Sequence, residues 1–139
     1  MNKRITIITI MLIVLILVAA GCQSSATAPA IKVGEETVPS LYTALGEERA
    51  VTGAGTETGI GYTSSKVTYN GVSSDDIMAY YNYLDSNGYT CTDESSTYIQ
   101  MCREAEKDGY IVMVDMNLTS SDTAEIIYTY TAGELTIYD

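Results

Sequence analysis

One segment of the chain has the spacing of an amphipathic helix, and it constrains the fold more than any other feature. Ser73 followed by Asp76 is a helix-capping pattern, and Asn87-Gly88 is a typical stop signal. Between these signals, apolar side chains recur on one helix face at Ile77, Tyr80, Tyr81 and Leu84. The sequence therefore predicts a single helix that must bury one stripe against another layer.

Alternation of apolar and polar residues predicts strands on both sides of this helix. The predicted strands are Lys66 to Tyr69, Gly88 to Thr92, Tyr98 to Arg103, Tyr110 to Leu118, Ile126 to Tyr130 and a short one over Leu135 to Tyr138. The third strand after the helix is apolar on both faces in its first half, which is typical of a central strand. The predicted fold is α+β, with one helix packed on an antiparallel sheet of four to five strands in strand–helix–meander order.

The residues before Tyr62 predict secondary structure less clearly. Val38 to Tyr42 is consistent with a turn or a short helical start. Four glycines between residues 53 and 61 are expected to break any regular element. This glycine segment lacks the spacing and the lysine of a phosphate-binding loop, so we interpret it as a flexible loop.

The chain contains three cysteines, of which two fall on neighbouring predicted strands, Cys91 and Cys102. Ten residues separate these two, and the chain has no histidine, so neither a redox CxxC motif nor a metal pair is favoured. The sequence predicts a structural disulfide between them, which would stabilise the fold by about 2–3 kcal/mol.

The N-terminal residues are typical of an export signal. Asn2-Lys3-Arg4 is positively charged, and Ile5 to Ala20 is an uncharged run, apolar except for Thr6 and Thr9, that ends in small residues before Cys22. A helix of these 16 residues would span about 24 Å, which is short for a transmembrane anchor. A plain secretory signal is the other alternative, and it would leave Cys22 as an unpaired surface thiol.

The residues Ala19-Ala20-Gly21-Cys22 resemble the lipobox of prokaryotic lipoproteins. The resemblance implies removal of residues 1–21 as a signal peptide and lipidation of Cys22, with the protein held on the extracytoplasmic side of the cell membrane. Residues 22–38 are then the lipid-attachment cysteine and a flexible tether. Residues 39–139 form a single small domain.

The net charge that remains after removal of the signal peptide limits which molecules the domain can bind. Removal of residues 1–21 leaves five basic against 18 acidic residues, a formal net charge of −13. Such a surface repels nucleic acid, so no nucleic-acid partner is expected. The expected partners are the membrane, through the lipid anchor, and another protein. A solubilising acidic surface explains this charge more simply than a cation-binding role does.

One acidic run has partial resemblance to a calcium loop. Its candidate ligands are Glu104, Glu106, Asp108 and Asp115, with a glycine at the position of the sharp turn. The segment leads into a strand and has no paired helices, and a hairpin connection there needs no ion. No metal or other cofactor is predicted.

Nothing in the chain indicates an enzyme. No histidine is present to activate a nucleophile, and the adjacent carboxylate pairs fall in predicted loops or at a helix start.

The residue order from Asp75 to Tyr89 is similar to that of small, uncharacterised extracytoplasmic lipoprotein domains, a resemblance that implies no activity. The prediction is a non-catalytic protein-binding or envelope accessory module that uses an edge strand or the sheet face away from the helix. The alternative is a module for a cation or carbohydrate ligand, bound by the Glu104–Asp115 acids or by exposed tyrosines.

Overall fold

The computed structural model describes residues 30–136, which form eight strands and two helices. In chain order the elements are β1 (Ala30–Val33), β2 (Glu36–Pro39), α1 (Leu41–Leu45), β3 (Ala50–Gly59), β4 (Tyr62–Asn70), α2 (Ser74–Ser86), β5 (Thr90–Glu94), β6 (Tyr98–Glu104), β7 (Tyr110–Leu118) and β8 (Thr123–Ala132).

Six of the strands form one antiparallel sheet in the order β3-β4-β8-β7-β6-β5, while β1 and β2 pair separately as a hairpin. The central place predicted for β7 is confirmed, because β8 pairs with its whole length and β6 pairs with it from Ile111 to Asn117. Consecutive side chains of a strand point to opposite faces. The sheet therefore has a helix-side face, covered by α2, α1 and the β1–β2 hairpin, and an opposite open face.

The predicted fold class is wrong. Strands make up 54% of the described residues and helices 17%, so the protein is mainly β and has more strands than the four to five expected. The glycine segment forms the ten-residue β3 instead of a loop. Its glycines are tolerated because β4 holds the backbone of β3 through the ladder, without any need for side-chain packing.

The predicted helix is confirmed as α2, and local chemistry fixes its start. The Ser73 hydroxyl accepts a hydrogen bond from the Asp76 N–H, and the Asp76 carboxylate accepts one from the Ser73 N–H. This reciprocal capping box satisfies two backbone donors that a helix start otherwise leaves unpaired. Asn87 caps the other end, and Gly88 follows with a φ of +89°.

The core lies between α2 and the helix-side face and is rich in tyrosine. Tyr80 of α2 is fully buried; its hydroxyl donates to the Pro39 carbonyl at 2.6 Å and lies within hydrogen-bond distance of the Tyr128 hydroxyl, at 3.3 Å. Burial raises the pKa of both tyrosines far above the ordinary value. In a chain without Phe or Trp, tyrosine supplies the large aromatic volume and then needs these hydrogen bonds inside the core.

Residues 30–38, which the sequence analysis placed in the tether, belong to the folded domain as the β1–β2 hairpin. Ile31, Val33 and Val38 are buried in the core. Gly34 turns the hairpin with a φ of +58°, and a Cβ there would lie only 2.4 Å from the Tyr130 ring. The hairpin therefore requires glycine at this position both for its turn and for its contact with β8.

The predicted disulfide is also wrong: Cys91 and Cys102 are free thiols, and no disulfide forms within residues 30–136. The β5–β6 register pairs Cys91 with Met101 and pairs Thr90 with Cys102. Because facing residues of paired strands point the same way, Cys91 lies on the helix-side face and Cys102 on the open face. Their positions on neighbouring strands are as predicted, but the one-residue offset puts the sheet between the two sulfurs.

Candidate protein-interaction edge

Strand β3 ends the six-stranded sheet and has a neighbour on one side only. It pairs with β4 from Ala50 to Gly59, and no strand among residues 30–136 lies along its other side. Backbone N–H and C=O groups of a strand point alternately to its two sides, so half of those in β3 point outward. We call this outward side of Ala50–Gly59 the β3 edge.

The β3 edge is exposed on both faces as well as along its backbone. Every residue of β3 is exposed except Val51 and Gly59, which are half-buried. The side chains are small, and Glu57 carries the only charge in the strand. No Pro interrupts it, and the one irregularity of its ladder lies near its start, between Val51 and Gly53. These are the properties of an edge that can accept another strand.

The opposite edge of the sheet has the features that prevent pairing. Strand β5 is only five residues long, and a register shift between Cys91 and Asp93 interrupts its ladder. Asp93 and Glu94 add two exposed carboxylates. Short length, a bulge and charge are the usual ways in which proteins block an edge strand. The contrast singles out the β3 edge as the open end of the sheet.

A groove of about 370 Å³ runs along the open face beside β3. Gly55 forms its floor, and Lys66 lies directly across from this glycine on β4. A Cβ at Gly55 would meet nothing within 4 Å, so the space above it is empty. The Lys66 ammonium lies 3.3 Å from the Glu125 carboxylate, with half of the lysine side chain still exposed.

Glu57 occupies the same face at the far end of this groove. Its carboxylate accepts a hydrogen bond of 2.9 Å from the Tyr62 hydroxyl. That hydrogen bond and the charge of Glu57 raise the pKa of Tyr62 above its ordinary value, so the tyrosine stays neutral and donating. The groove thus places a cation and a carboxylate on one open surface, with a glycine gap next to them.

The part of the open face around Asp115 is a closed polar network. The Asp115 carboxylate accepts hydrogen bonds from the Tyr98 hydroxyl and from the Gln100 amide, the latter at 2.8 Å. The Gln100 amide oxygen in turn accepts a bond from Thr92 at 2.9 Å. Burial, followed by the contact with Asp115, raises the pKa of Tyr98 well above its ordinary value. These groups satisfy one another, so this part of the face offers a partner few free hydrogen-bonding groups.

The four candidate calcium ligands of the acidic run do not converge. Asp115 points from the middle of β7 into the network just described, whereas Glu104 ends β6 and Glu106 and Asp108 lie in the β6–β7 hairpin. The Glu106 N–H donates to the buried Glu36 carboxylate. Among the described residues, no group of three or more potential ligand side chains is placed to hold a metal ion.

Within residues 30–136, the stacked pair Tyr110 and Tyr130 does not form an exposed platform of the kind that binds sugar rings. Tyr110 and Tyr130 stack on each other, with ring centroids 4.9 Å apart and an interplanar angle of 14°. Tyr130 is buried, and the Lys107 ammonium lies 4.5 Å from the centroid of Tyr110. The two rings therefore cover each other rather than presenting two coplanar faces to solvent.

Cys22, the predicted lipidation site, lies outside the described residues, as does the end of the predicted last strand. Neither of the two described helices is long and apolar enough to span a membrane. Comparison of the chain with protein-family models, with curated proteins and with solved structures found no match.

The sequence predicts that the contact surface is an edge strand or the sheet face away from the helix, but it does not identify β3. The available signal was the run of small and threonine residues from Ala50 to Gly59, followed by the two-residue turn Ile60-Gly61 and the strand that begins at Tyr62. A short turn with Gly61 at a φ of +76° joins two strands as a hairpin. Such a turn ahead of a strand predicts a second strand before it, even where glycines are frequent.

Proposed function

We propose that this protein is a membrane-anchored, extracytoplasmic lipoprotein that acts as a non-catalytic protein-binding module, and that the β3 edge is its contact surface. The partner would supply an extended segment that pairs with β3 as an added strand. In this mode the main chain provides much of the affinity, and side-chain pockets beside the strand provide specificity.

The observation that carries this proposal is the asymmetry of the two sheet edges. The β5 edge is short, bulged and acidic, while β3 is long, exposed and nearly uncharged. An open edge of this length invites aggregation unless it has a partner. The lipid anchor rests on the sequence alone, through the residues that precede Cys22.

The proposal is tested by capture of partners from gently solubilised membranes with full-length protein. The variant Thr56→Lys adds a charge to the middle of the β3 edge, where the side chain is exposed. We expect about tenfold less captured partner, which corresponds to about 1.4 kcal/mol of binding free energy. The matched control Asn82→Lys adds the same charge to an exposed position of α2 and should leave capture unchanged. Equal capture by both variants and the wild type would reject the β3 edge as the contact.

A further inference from the structure

We propose that the strand added to the β3 edge is β3 of a second copy of this chain, so that two copies pair antiparallel around a two-fold axis at Thr56. The inference rests on the proposed function of the β3 edge and names its partner. A two-fold axis makes the interface self-complementary, because the same residues serve on both sides. Residues 53–59 of each copy would form the shared ladder.

The alternation of side chains limits the possible registers. Beyond its irregularity near Thr52, β3 alternates regularly, with Gly55 and Glu57 on the open face and Ala54 and Thr56 on the helix-side face. A two-fold axis perpendicular to the sheet keeps each face with itself. Pairs must therefore join residues of the same face, and a slip of one residue would break that match.

Charge selects one register among those that remain. With the axis at Thr56, Glu57 of each copy lies opposite Gly55 of the other, over the glycine gap. With the axis at Glu57, two carboxylates would face each other, which is destabilising. With the axis at Gly55, Glu57 would lie opposite Gly53, away from the cation at Lys66.

The favoured register forms a new ion pair across the interface. Gly55 lies directly across from Lys66, so Lys66, Gly55 and Glu57 of the second copy would form one row on the open face. Strands are about 4.8 Å apart, so Lys66 and this glutamate would lie two strands, or about 10 Å, apart at the backbone. Extended lysine and glutamate side chains together bridge that span. Symmetry then creates the contact twice.

The glycine floor explains why this pairing is possible. A larger side chain at Gly55 would occupy the groove of about 370 Å³ through which Lys66 and the incoming carboxylate meet. Lys66 already contacts Glu125, and its exposed half leaves room for a second carboxylate. The groove, the cation and the open backbone therefore all fit a second copy of β3.

Cysteine crosslinking of the full-length protein in its native membrane tests the register. Thr56→Cys places the two introduced thiols directly opposite each other, within the Cα separation of 4.4–6.8 Å that a disulfide requires. Mild oxidation should give a covalent dimer of this variant, whereas Ala54→Cys and Thr58→Cys should stay largely monomeric, as should the wild type. Absence of dimer at all three positions, or equal dimer at all three, would overturn the proposal.

The charge argument has its own test, in which the sign of the effect is informative. Glu57→Lys lowers the net negative charge of each copy, which by itself would favour association, yet it sets a second cation beside Lys66. We expect about fivefold weaker dimerisation by sedimentation equilibrium of the full-length protein in detergent. The control Asp85→Lys changes the charge equally on an exposed position of α2 and should not weaken it. Stronger or unchanged dimerisation of Glu57→Lys would refute the predicted ion pair.

These outcomes separate the inference from the proposed function. If Thr56→Cys gives no dimer while Thr56→Lys still abolishes capture of a different protein, the β3 edge binds that protein, and the second copy is rejected. If Thr56→Cys gives the dimer and capture is unaffected by Thr56→Lys, the edge serves self-association, and its role in binding another protein is rejected.

Discussion

Single residues join the small β1–β2 hairpin to the sheet, and Glu36 is the most consequential of them. Its carboxylate is buried, accepts the Glu106 N–H and lies 2.8 Å from the Arg103 guanidinium. Arg103 also covers the ring of Tyr89, whose centroid lies 5.3 Å away. Burial alone would raise the pKa of Glu36, but the hydrogen bonds from Glu106 and Arg103 outweigh it and lower that pKa.

Replacement of Glu36 by glutamine should therefore cost stability in a pH-dependent way. We expect a loss of about 2 kcal/mol at neutral pH, because the charged partner of Arg103 is removed. A lowered pKa stabilises the fold above the ordinary glutamate pKa of about 4.3, and this stability is lost as the pH falls toward the folded-state pKa. Urea unfolding from pH 7 down to pH 3 should show the gap between wild type and Glu36→Gln closing in acid. A constant gap would contradict this role.

The thiols of Cys91 and Cys102 should be reduced and unreactive in the folded protein. Burial raises the pKa of both Cys91 and Cys102, so neither is a reactive thiolate at neutral pH. Alkylation after denaturation without any reductant should modify both residues, and reductant should not shift the unfolding midpoint. A mass lower by two hydrogen atoms, with neither cysteine alkylated, would contradict the free thiols and indicate a disulfide.

At the scale of elements, the helix is specified by chemistry within a few residues of its own sequence. Asp76 joins the capping box to a second contact, because its carboxylate also pairs with Arg49 at 3.2 Å just before β3 begins. Burial would raise the pKa of Asp76, but the hydrogen bonds from Arg49 and Ser73 lower it. One side chain thus fixes the start of α2 relative to the start of β3.

Removal of the cap should destabilise the protein by an amount typical of helix starts. We expect Ser73→Ala to cost about 1 kcal/mol of unfolding free energy. Ser74→Ala, one residue on, changes an exposed helical position that makes no capping bond and serves as the matched control. If the two variants unfold at the same urea concentration, the capping box contributes nothing to stability.

Some of the helices and strands could be predicted from the sequence, and others could not. Helix α2 and strands β6 and β7 were predicted within about a residue of their observed bounds, because their signals are local and periodic. Strand β3 was missed because its stability comes from pairing with β4, which local propensity does not record. The β1–β2 hairpin was missed although Ile31 and Val33 alternate on one side of Gly34, since each strand has only four residues.

The location of the candidate site could likewise be predicted only in part. The sequence could predict that an edge strand binds a partner, but which strand is an edge depends on the order of all six strands. Cys91 and Cys102 show a finer limit, because the disulfide prediction required the strand pairing to be known to a single residue. Pairing partners and register are long-range properties, and a one-residue change reverses the face of every side chain.

At the level of the whole molecule, the proposed lipid anchor at Cys22 would hold a strongly acidic domain at a membrane. If this cysteine carries the lipid, Cys22→Ser should leave a soluble protein or an unprocessed precursor that takes up no lipid label. Metabolic labelling with a fatty acid and fractionation of the cells measure both properties. Normal labelling of Cys22→Ser would exclude the anchor, whereas the fold of residues 30–136 would be unaffected by the result.

Hydrogen–deuterium exchange of the backbone of Ala50–Gly59 tests directly whether the β3 edge is the contact surface. In dilute purified protein, the outward-pointing amides of β3 should exchange fast, because they have no ladder partner. In native membranes, where the partner or second copy is present, the same peptide should become protected while the polar network around Asp115 is unchanged. If the exchange of β3 is the same in membranes and new protection appears in the peptides of β6 and β7 instead, the β3 edge is not the contact surface. The contact then involves β6 and β7.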